Sequence, residues 1–247
     1  VVLDNLADLN VLEVYHKGRL IRADEKKEIP PCPPALKNTV HLQHFTQDHL
    51  RLPHRGGKAH VLRMIEGQIA TEDLMEEVPC SKTEGDLLFA PGDGYLKIAA
   101  VERHKGTGKT GVGIVKGFGI QGGAIASSVS HDSHNLIVIG DNDRDMYLAV
   151  QELVRSQGGY TITENGKVYE TLPLPVMGLM SDAGYEEVNR VLKKMIAKAH
   201  EMGIPEGFDP FITLSFMALP VIPEIRITPR GVYLVKEDRL LETPFEK

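Results

Sequence analysis

The sequence predicts an α+β fold, in which a small β-sandwich remnant precedes a mixed domain that is rich in strands and has at least two helices. Short apolar runs separated by Gly and polar residues recur from about residue 60, as in a strand-rich domain. Two longer segments have helical periodicity, without the regular alternation of strand and helix that βαβ units require. We therefore predict a hairpin or sandwich remnant with a Pro-rich linker over residues 1–50, and an α+β domain over residues 51–247.

Composition and charge narrow the class of protein. The 247 residues are 42% hydrophobic and 25% charged, which is typical of a soluble globular protein. The formal net charge of −6 gives no electrostatic reason to expect nucleic acid or an anionic membrane as a partner. No run of about 18 apolar residues occurs, so no membrane span is expected. Cys32 and Cys80 lie far apart, which argues against a disulfide framework and fits a reducing cytoplasm. The missing initiator Met indicates a piece of a longer protein.

The first predicted element is a hairpin. Residues 11–15 and 20–21 have strand-like composition, and Gly18 between them can adopt the positive φ of a turn. A lone hairpin needs another sheet to pack on. The prolines within residues 30–34 lack backbone donors and favour an extended chain, which predicts a linker.

Strands and two helices are predicted after the linker. Residues 143–155 and 185–202 repeat apolar side chains at helical spacing, and a glycine follows each segment. Asn165-Gly166, flanked by β-type residues, predicts a hairpin turn. The predicted strands are residues 60–65, 86–89, 95–101, 111–115, 124–129 and 136–140.

Several motifs resemble known sites but lack an essential part. The run from Gly106 to Thr110 ends like a phosphate-binding loop, but its first Gly is missing and a strand follows where a helix is required. Pro79-Cys80 lacks the second Cys and the His-x-Glu of a zinc deaminase. Five histidines between residues 41 and 60 have no carboxylate placed to complete a metal site, so we interpret them as a solvated loop: His41, His44, His49, His54 and His60.

The densest polar cluster is the run from Ser130 to Asn135, directly before an apolar strand. On an extended strand Asp132 and His134 would face one way and His131 the other, so Asp132 and His134 could share a ligand, a metal or an internal network. A buried polar network that fixes a turn is the equally weighted alternative. A Ser-His-Asp hydrolase site is weaker, because no Gly-x-Ser-x-Gly elbow is present. Upstream, Glu102 and His104 end another predicted strand and would meet the cluster if the two strands are neighbours.

Two apolar segments punctuated by proline, residues 172–181 and 210–223, are too short to span a bilayer. They suit a core or an interface with another domain.

The run from Gly122 to Asn135, with Val101-Glu102-Arg103-His104 before it, resembles the C-terminal domain of adenine deaminases of the amidohydrolase superfamily. Residues 172–181 and 213–224 resemble the same family, and the resemblance covers roughly residues 60–235. The opening, residues 1–22, is similar to the segment with which amidohydrolases return from a metal-bearing barrel to a small β-sandwich.

The resemblance implies hydrolysis of adenine to hypoxanthine and ammonia by a binuclear manganese or iron site, in purine salvage or adenine catabolism. The barrel that carries those metal ligands is not in this sequence, so we expect the chain to be inactive alone and to need that barrel as a partner. Purine binding without catalysis, or oligomer assembly, are the alternatives, and a homo-oligomer is expected. The candidate catalytic residues, which could face the barrel mouth, are Glu102, His104, His131, Asp132, His134 and Asn135. His131, Asp132 and His134 are also candidates for an accessory metal site.

Overall fold

The computed structural model describes residues 1–22, 30–53, 57–79 and 94–245. The chain divides into two compact units, Val1–Pro31 and Cys32–Lys247. The domain boundary at residue 50 stays a prediction from the sequence. In the structure, residues 32–50 belong to the second unit. No helix in the described ranges has the length and apolar character to cross a membrane.

The first unit consists of two small antiparallel pairs of strands. The pairs are β1 with β2 and β3 with β4, and Lys17 and Gly18 form the β3–β4 turn with φ of 49° and 76°. The predicted hairpin is therefore confirmed for its second half, whereas residues 11–13 pair with the start of the chain. Most apolar side chains of this unit are exposed, such as Leu6 at 87% and Leu12 at 62%. The strands are β1 (Val2–Leu3), β2 (Val11–Glu13), β3 (Tyr15–His16) and β4 (Arg19–Leu20).

The second unit is α+β, as predicted. Its strands are β5 (Ala59–Met64), β6 (Thr71–Glu76), β7 (Tyr95–Val101), β8 (Thr110–Lys116), β9 (Gly123–Ser127), β10 (Leu136–Gly140), β11 (Gly159–Glu164), β12 (Lys167–Pro173), β13 (Ile225–Thr228), β14 (Gly231–Leu234) and β15 (Arg239–Leu241). Its helices are α1 (Asp143–Ser156), α2 (Tyr185–Glu201) and α3 (Pro210–Phe216).

An eight-stranded sheet organises this unit. Its strand order is β12-β11-β9-β10-β7-β8-β5-β6, and the pairing is antiparallel except between β5 and β8. Strands β13, β14 and β15 form a separate antiparallel sheet.

Side-chain alternation along the strands creates a core on each face of the large sheet. In β10, Leu136 and Val138 belong to the core that includes α1, whereas Ile137 and Ile139 belong to the core that includes α2, α3 and the three-stranded sheet. All five residues of β10 are buried. Burial on both faces explains why this strand is a continuous apolar run instead of an alternating one.

Local signals predicted both long helices and the β11–β12 hairpin. Asn142 caps α1 by accepting a hydrogen bond from the Asp145 N–H, and Asn165 and Gly166 adopt the positive φ of the predicted turn. The predicted strand at residues 86–89 lies outside the described residues, as do Cys80 and His54. Strand β9 ends at Ser127, two residues earlier than predicted, because the Ser127 hydroxyl accepts from the Val129 N–H and turns the chain.

The three-stranded sheet packs closely on β8 through glycine. A Cβ atom at Gly111 would lie 2.0 Å from the Thr228 carbonyl oxygen and 2.4 Å from the Gly231 nitrogen. Backbone therefore touches backbone at this position. Helix α3 lies in the segment 210–223, which was predicted as core or interface without a helix. The helix and the three-stranded sheet belong to the same core.

Candidate functional site

The site forms where two loops meet at one end of the large sheet. Strand β7 pairs with β10, with Val101 opposite Leu136, so the loop after β7 lies beside the loop that precedes β10. This neighbour relation brings His104 into contact with the cluster of residues 130–135, as predicted, whereas the hydrogen bonds of Glu102 lie within its own loop. The described segment after α3 and the β13–β14 turn complete the surroundings.

Arg103 joins these loops from the interior. It is only 2% exposed, and its Nε donates to the His134 carbonyl oxygen at 2.5 Å. Its Nη1 donates to the carbonyl and hydroxyl oxygens of Thr39 at 3.1 and 3.3 Å, and its Nη2 to the Met177 carbonyl at 3.0 Å. Burial lowers the pKa of the Arg103 guanidinium. Because the planar guanidinium reaches three chain segments at once, it holds the loops in one arrangement.

Glu102 braces its own loop. Its carboxylate accepts hydrogen bonds from the N–H groups of His104, Lys105 and Thr107 and from the Thr107 hydroxyl, at 2.6 to 3.0 Å. Burial alone would raise the pKa of Glu102, but the Thr107 hydroxyl and these backbone donors outweigh it and lower the pKa to about 2. A carboxylate held in this way is a weak base, so its contacts give it a structural role in the loop.

His104 and Asn135 tie the two loops together. The Nε2–H of His104 donates to the Ser133 carbonyl oxygen at 2.6 Å. The Asn135 side chain accepts from the Arg103 N–H at 3.4 Å and donates to the Ser133 hydroxyl at 3.0 Å. These contacts hold the loop of residues 130–135 against the loop that follows β7.

His134 is fixed in one tautomer. Its Nδ1 accepts a hydrogen bond from the Ser130 N–H at 3.2 Å, so the neutral ring carries its proton on Nε2. Burial, followed by the charges of His131 and Arg103, lowers the pKa of His134. His134 has a φ of 49°, the left-handed conformation, at the point where the loop turns into β10. At neutral pH the ring is therefore an uncharged donor through Nε2.

His131 and Asp132 form the outer part of the cluster. The His131 ring lies 5.5 Å from the His134 ring and 4.9 Å from the Phe216 ring. The backbone N–H of His131 donates to the Ser215 carbonyl oxygen at 3.2 Å. The Asp132 side chain is 84% exposed, and its Oδ1 lies 4.0 Å from His131 Nδ1.

The alternation of side chains expected for this run is wrong. Residues 131–133 form a turn, so the two-residue period of a strand does not apply. The rings of His131 and His134 lie edge to face, with their centroids 5.5 Å apart.

The described part of the chain does not fit a metal centre. No group of three or more His, Cys, Asp or Glu side chains is placed there to hold a metal ion. The accessory site of His131, Asp132 and His134 therefore stays a prediction without a ligand set. The binuclear manganese or iron site expected from the resemblance likewise has no such group of ligands among these residues.

A pocket of about 340 Å³ opens beside the cluster. Its polar side is the loop of residues 130–135, which contributes Ser130, Asp132, Ser133 and Asn135. Its apolar side comes from the segment after α3, from Ile227 and Pro229 around the β13–β14 turn, and from Ala100 of β7. Volumes of this order are at the small end of the range for small-molecule sites.

Sequence reasoning placed Ser130 in the polar cluster, but it missed the anchoring role of Arg103, the hydroxyl of Ser215 and the lack of a partner for the Ser130 hydroxyl among the described residues. Both hydroxyls are buried and have no hydrogen-bond partner in the part of the chain that the structure describes. The partners of Arg103 lie 64 and 74 residues away along the chain, at Thr39 and Met177, so no local pattern reveals them. The local signal was an Arg two residues after the end of a buried strand.

Known proteins resemble this chain over nearly its whole length. Three curated relatives are "Adenine deaminase" of Desulfitobacterium hafniense, with 48% identity over 98% of this chain, "Adenine deaminase" of Nitratidesulfovibrio vulgaris strain DP4, with 43% over 96%, and "Adenine deaminase 2" of Carboxydothermus hydrogenoformans, with 39% over 94%. The chain spans only 41% to 42% of the length of these relatives. The family model described as the adenine deaminase C-terminal domain matches residues 68–239, and we conclude that the chain belongs to this family.

Proposed function

We propose that this chain is the C-terminal part of a hydrolase that converts adenine and water to hypoxanthine and ammonia, and that it has no deaminase activity alone. The observation that carries the proposal is the 39% to 48% identity with proteins named adenine deaminase, over 94% to 98% of this chain but about two fifths of theirs. A role in purine salvage or adenine catabolism follows from that reaction.

The metal-assisted step is assigned to the remainder of the longer polypeptide. Two manganese or iron ions would activate water for attack on C6 of the purine. The described residues of this chain offer no ligand group for them. The barrel expected from the resemblance is therefore the partner on which activity depends.

The cluster is proposed to act at the substrate side of that site. His134 offers Nε2–H as a neutral donor, and Asp132 offers a carboxylate that is 84% exposed. Arg103, His104 and Asn135 hold the loop that carries both groups, so little reorganisation is needed when a ligand binds. His131 lies against Phe216 at the edge of this platform.

The first test compares this chain with the longer polypeptide that contains it. Ammonia release from adenine and bound transition metal are measured on both. We expect turnover and two metal ions only for the longer polypeptide. Turnover by the chain alone would contradict the proposed division of labour, and absence of turnover by the metal-loaded longer polypeptide would favour purine binding or assembly without catalysis.

The second test replaces His131 and His134 by Ala in the longer polypeptide. We expect a fall in kcat/KM of at least tenfold with an unchanged circular dichroism spectrum, since a positioned hydrogen-bonding group contributes about that much or more. His200→Ala is the matched control, because His200 contacts the Ile204 carbonyl near the start of β9, at the opposite end of the sheet. Unchanged metal content, kcat and KM in the double variant would remove the cluster from the proposal.

Oligomeric state and location follow from the proposal as expectations. Light scattering of the longer polypeptide tests for a homo-oligomer, and fractionation of source cells tests for the cytoplasm.

A further inference from the structure

The pocket of about 340 Å³ beside the cluster has a polar and an apolar side. Ser130, Asp132 and Asn135 line one side, and Pro220, Val221 and Ile227 line the other. The Asp132 side chain is 84% exposed and so stands at the opening, whereas Ser130 is fully buried. A flat ring with one hydrogen-bonding edge matches such a division, because its faces can contact the apolar wall while its edge meets the loop.

The buried hydroxyl of Ser130 points to a ligand. Among the described residues it has no hydrogen-bond partner, although Ser130 is 0% exposed. Buried polar atoms in folded proteins are nearly always paired with protein, water or ligand. Because Ser130 lines the pocket, a rotation of its hydroxyl toward the pocket would let a bound molecule supply the missing partner.

The remaining hydrogen-bonding capacity of the loop defines the chemistry of that molecule. The Asp132 carboxylate is an acceptor only, so it requires an N–H or O–H donor on the ligand. Ser130 can donate its hydroxyl proton, and Asn135 has one amide N–H left after its bond to the Ser133 hydroxyl. The polar side therefore pairs with an edge on which an amino group lies beside a ring nitrogen acceptor.

We propose that this pocket is a binding site for an aminopurine base, with the exocyclic amino group toward Asp132 and a ring nitrogen toward Ser130. The choice of a purine among amino-substituted rings rests on the proposed function. The site lies wholly within the second unit and uses no metal ion. Hypoxanthine binds less well, because its carbonyl oxygen would face the Asp132 carboxylate.

Equilibrium binding to the complete 247-residue chain, with metal removed by a chelator, tests the site. Adenine, hypoxanthine and unsubstituted purine are titrated by calorimetry. We expect adenine to bind at least tenfold more tightly than hypoxanthine, with purine between them. Asp132→Asn should reduce the preference for adenine over hypoxanthine by about fivefold to tenfold, since it removes the negative charge and adds a donor.

Two serine variants form a matched pair. Both Ser130 and Ser215 have buried hydroxyls without partners in the described chain, but only Ser130 lines the pocket. Ser130→Ala should weaken adenine binding about fivefold, the effect of one lost hydrogen bond, without lowering Tm. Ser215→Ala should leave adenine binding unchanged. Val221→Ser, at a side chain that is 74% exposed, should weaken binding of all three bases through the apolar wall.

The outcomes separate this site from the proposed function. If the folded chain binds no adenine while the longer polypeptide deaminates it, the pocket proposal is overturned and the proposed function stands. If the chain binds adenine and the longer polypeptide lacks turnover, the proposed function fails and the aminopurine site stands. Equal affinity for adenine and hypoxanthine, or equal effects of Ser130→Ala and Ser215→Ala, would also overturn the pocket proposal.

Discussion

Gly111 tests whether the close contact between β8 and the three-stranded sheet stabilises the second unit. In Gly111→Ala the new methyl group would start 2.0 Å from the Thr228 carbonyl oxygen and 2.4 Å from the Gly231 nitrogen. Restoring an ordinary contact of 3.4 Å requires the β13–β14 backbone to move by about 1.4 Å. Neither contact atom is a flexible side-chain end, so a small rearrangement cannot relieve the overlap.

The expected cost is at or above the upper end of overpacking, about 3 kcal/mol. For a domain of this size that corresponds to a fall in Tm of about 6–12 °C. Gly113→Ala is the matched control on the same strand and the same face. Its methyl group would meet the side-chain ends of Ile227 and Val232 at 3.3 Å, which can adjust, so we expect a change below about 1 kcal/mol.

Thermal unfolding followed by circular dichroism measures both variants. Because Ile227 and Thr228 line the pocket, Gly111→Ala should also weaken adenine binding below Tm. Equal Tm values for the two variants, or a higher Tm for Gly111→Ala, would refute the packing described for this sheet.

Three further predictions concern the loops. In Arg103→Lys the ammonium cannot reach all the acceptors on Thr39, His134 and Met177, so unfolding should become easier by about 2–4 kcal/mol; a loss below 1 kcal/mol would show that the guanidinium is not the anchor. Nitrogen-15 NMR at pH 7 should find His134 neutral with its proton on Nε2, and a protonated ring would contradict the assigned hydrogen bond. Because the pKa of His134 is lowered in the folded state, its contribution to stability declines as pH falls below about 6.5. The Glu102 pKa of about 2 means that its contribution is present above about 4.5 and is lost as pH falls toward 2; Glu102→Gln should therefore have a flatter stability profile over that range, and an identical slope would exclude the loop contacts of Glu102.

Much of the architecture could be predicted because it depends on neighbours along the chain. Apolar residues at helical spacing and a capping Asn define α1, and Asn165-Gly166 defines the β11–β12 turn, since both signals act over a few residues. Strand β6 was not predicted, because its run Thr71–Glu76 is acidic and becomes a strand by pairing with β5. Helix α3 was also missed, because its apolar run, bounded by prolines, has no repeat long enough to separate helix from irregular core.

The sequence by itself determined the residue types of the candidate site, their density in one loop and the family resemblance, which the comparisons confirm. The tertiary structure alone decided their roles. Residues 131–133 form a turn, and the Glu102 carboxylate binds donors of its own loop. Arg103 contacts acceptors 64 and 74 residues away along the chain. The Ser130 hydroxyl lies beside the pocket without a partner among the described residues. The physical reason is that burial and hydrogen bonding at this end of the sheet arise from segments distant in sequence, and no local pattern encodes which of them will meet.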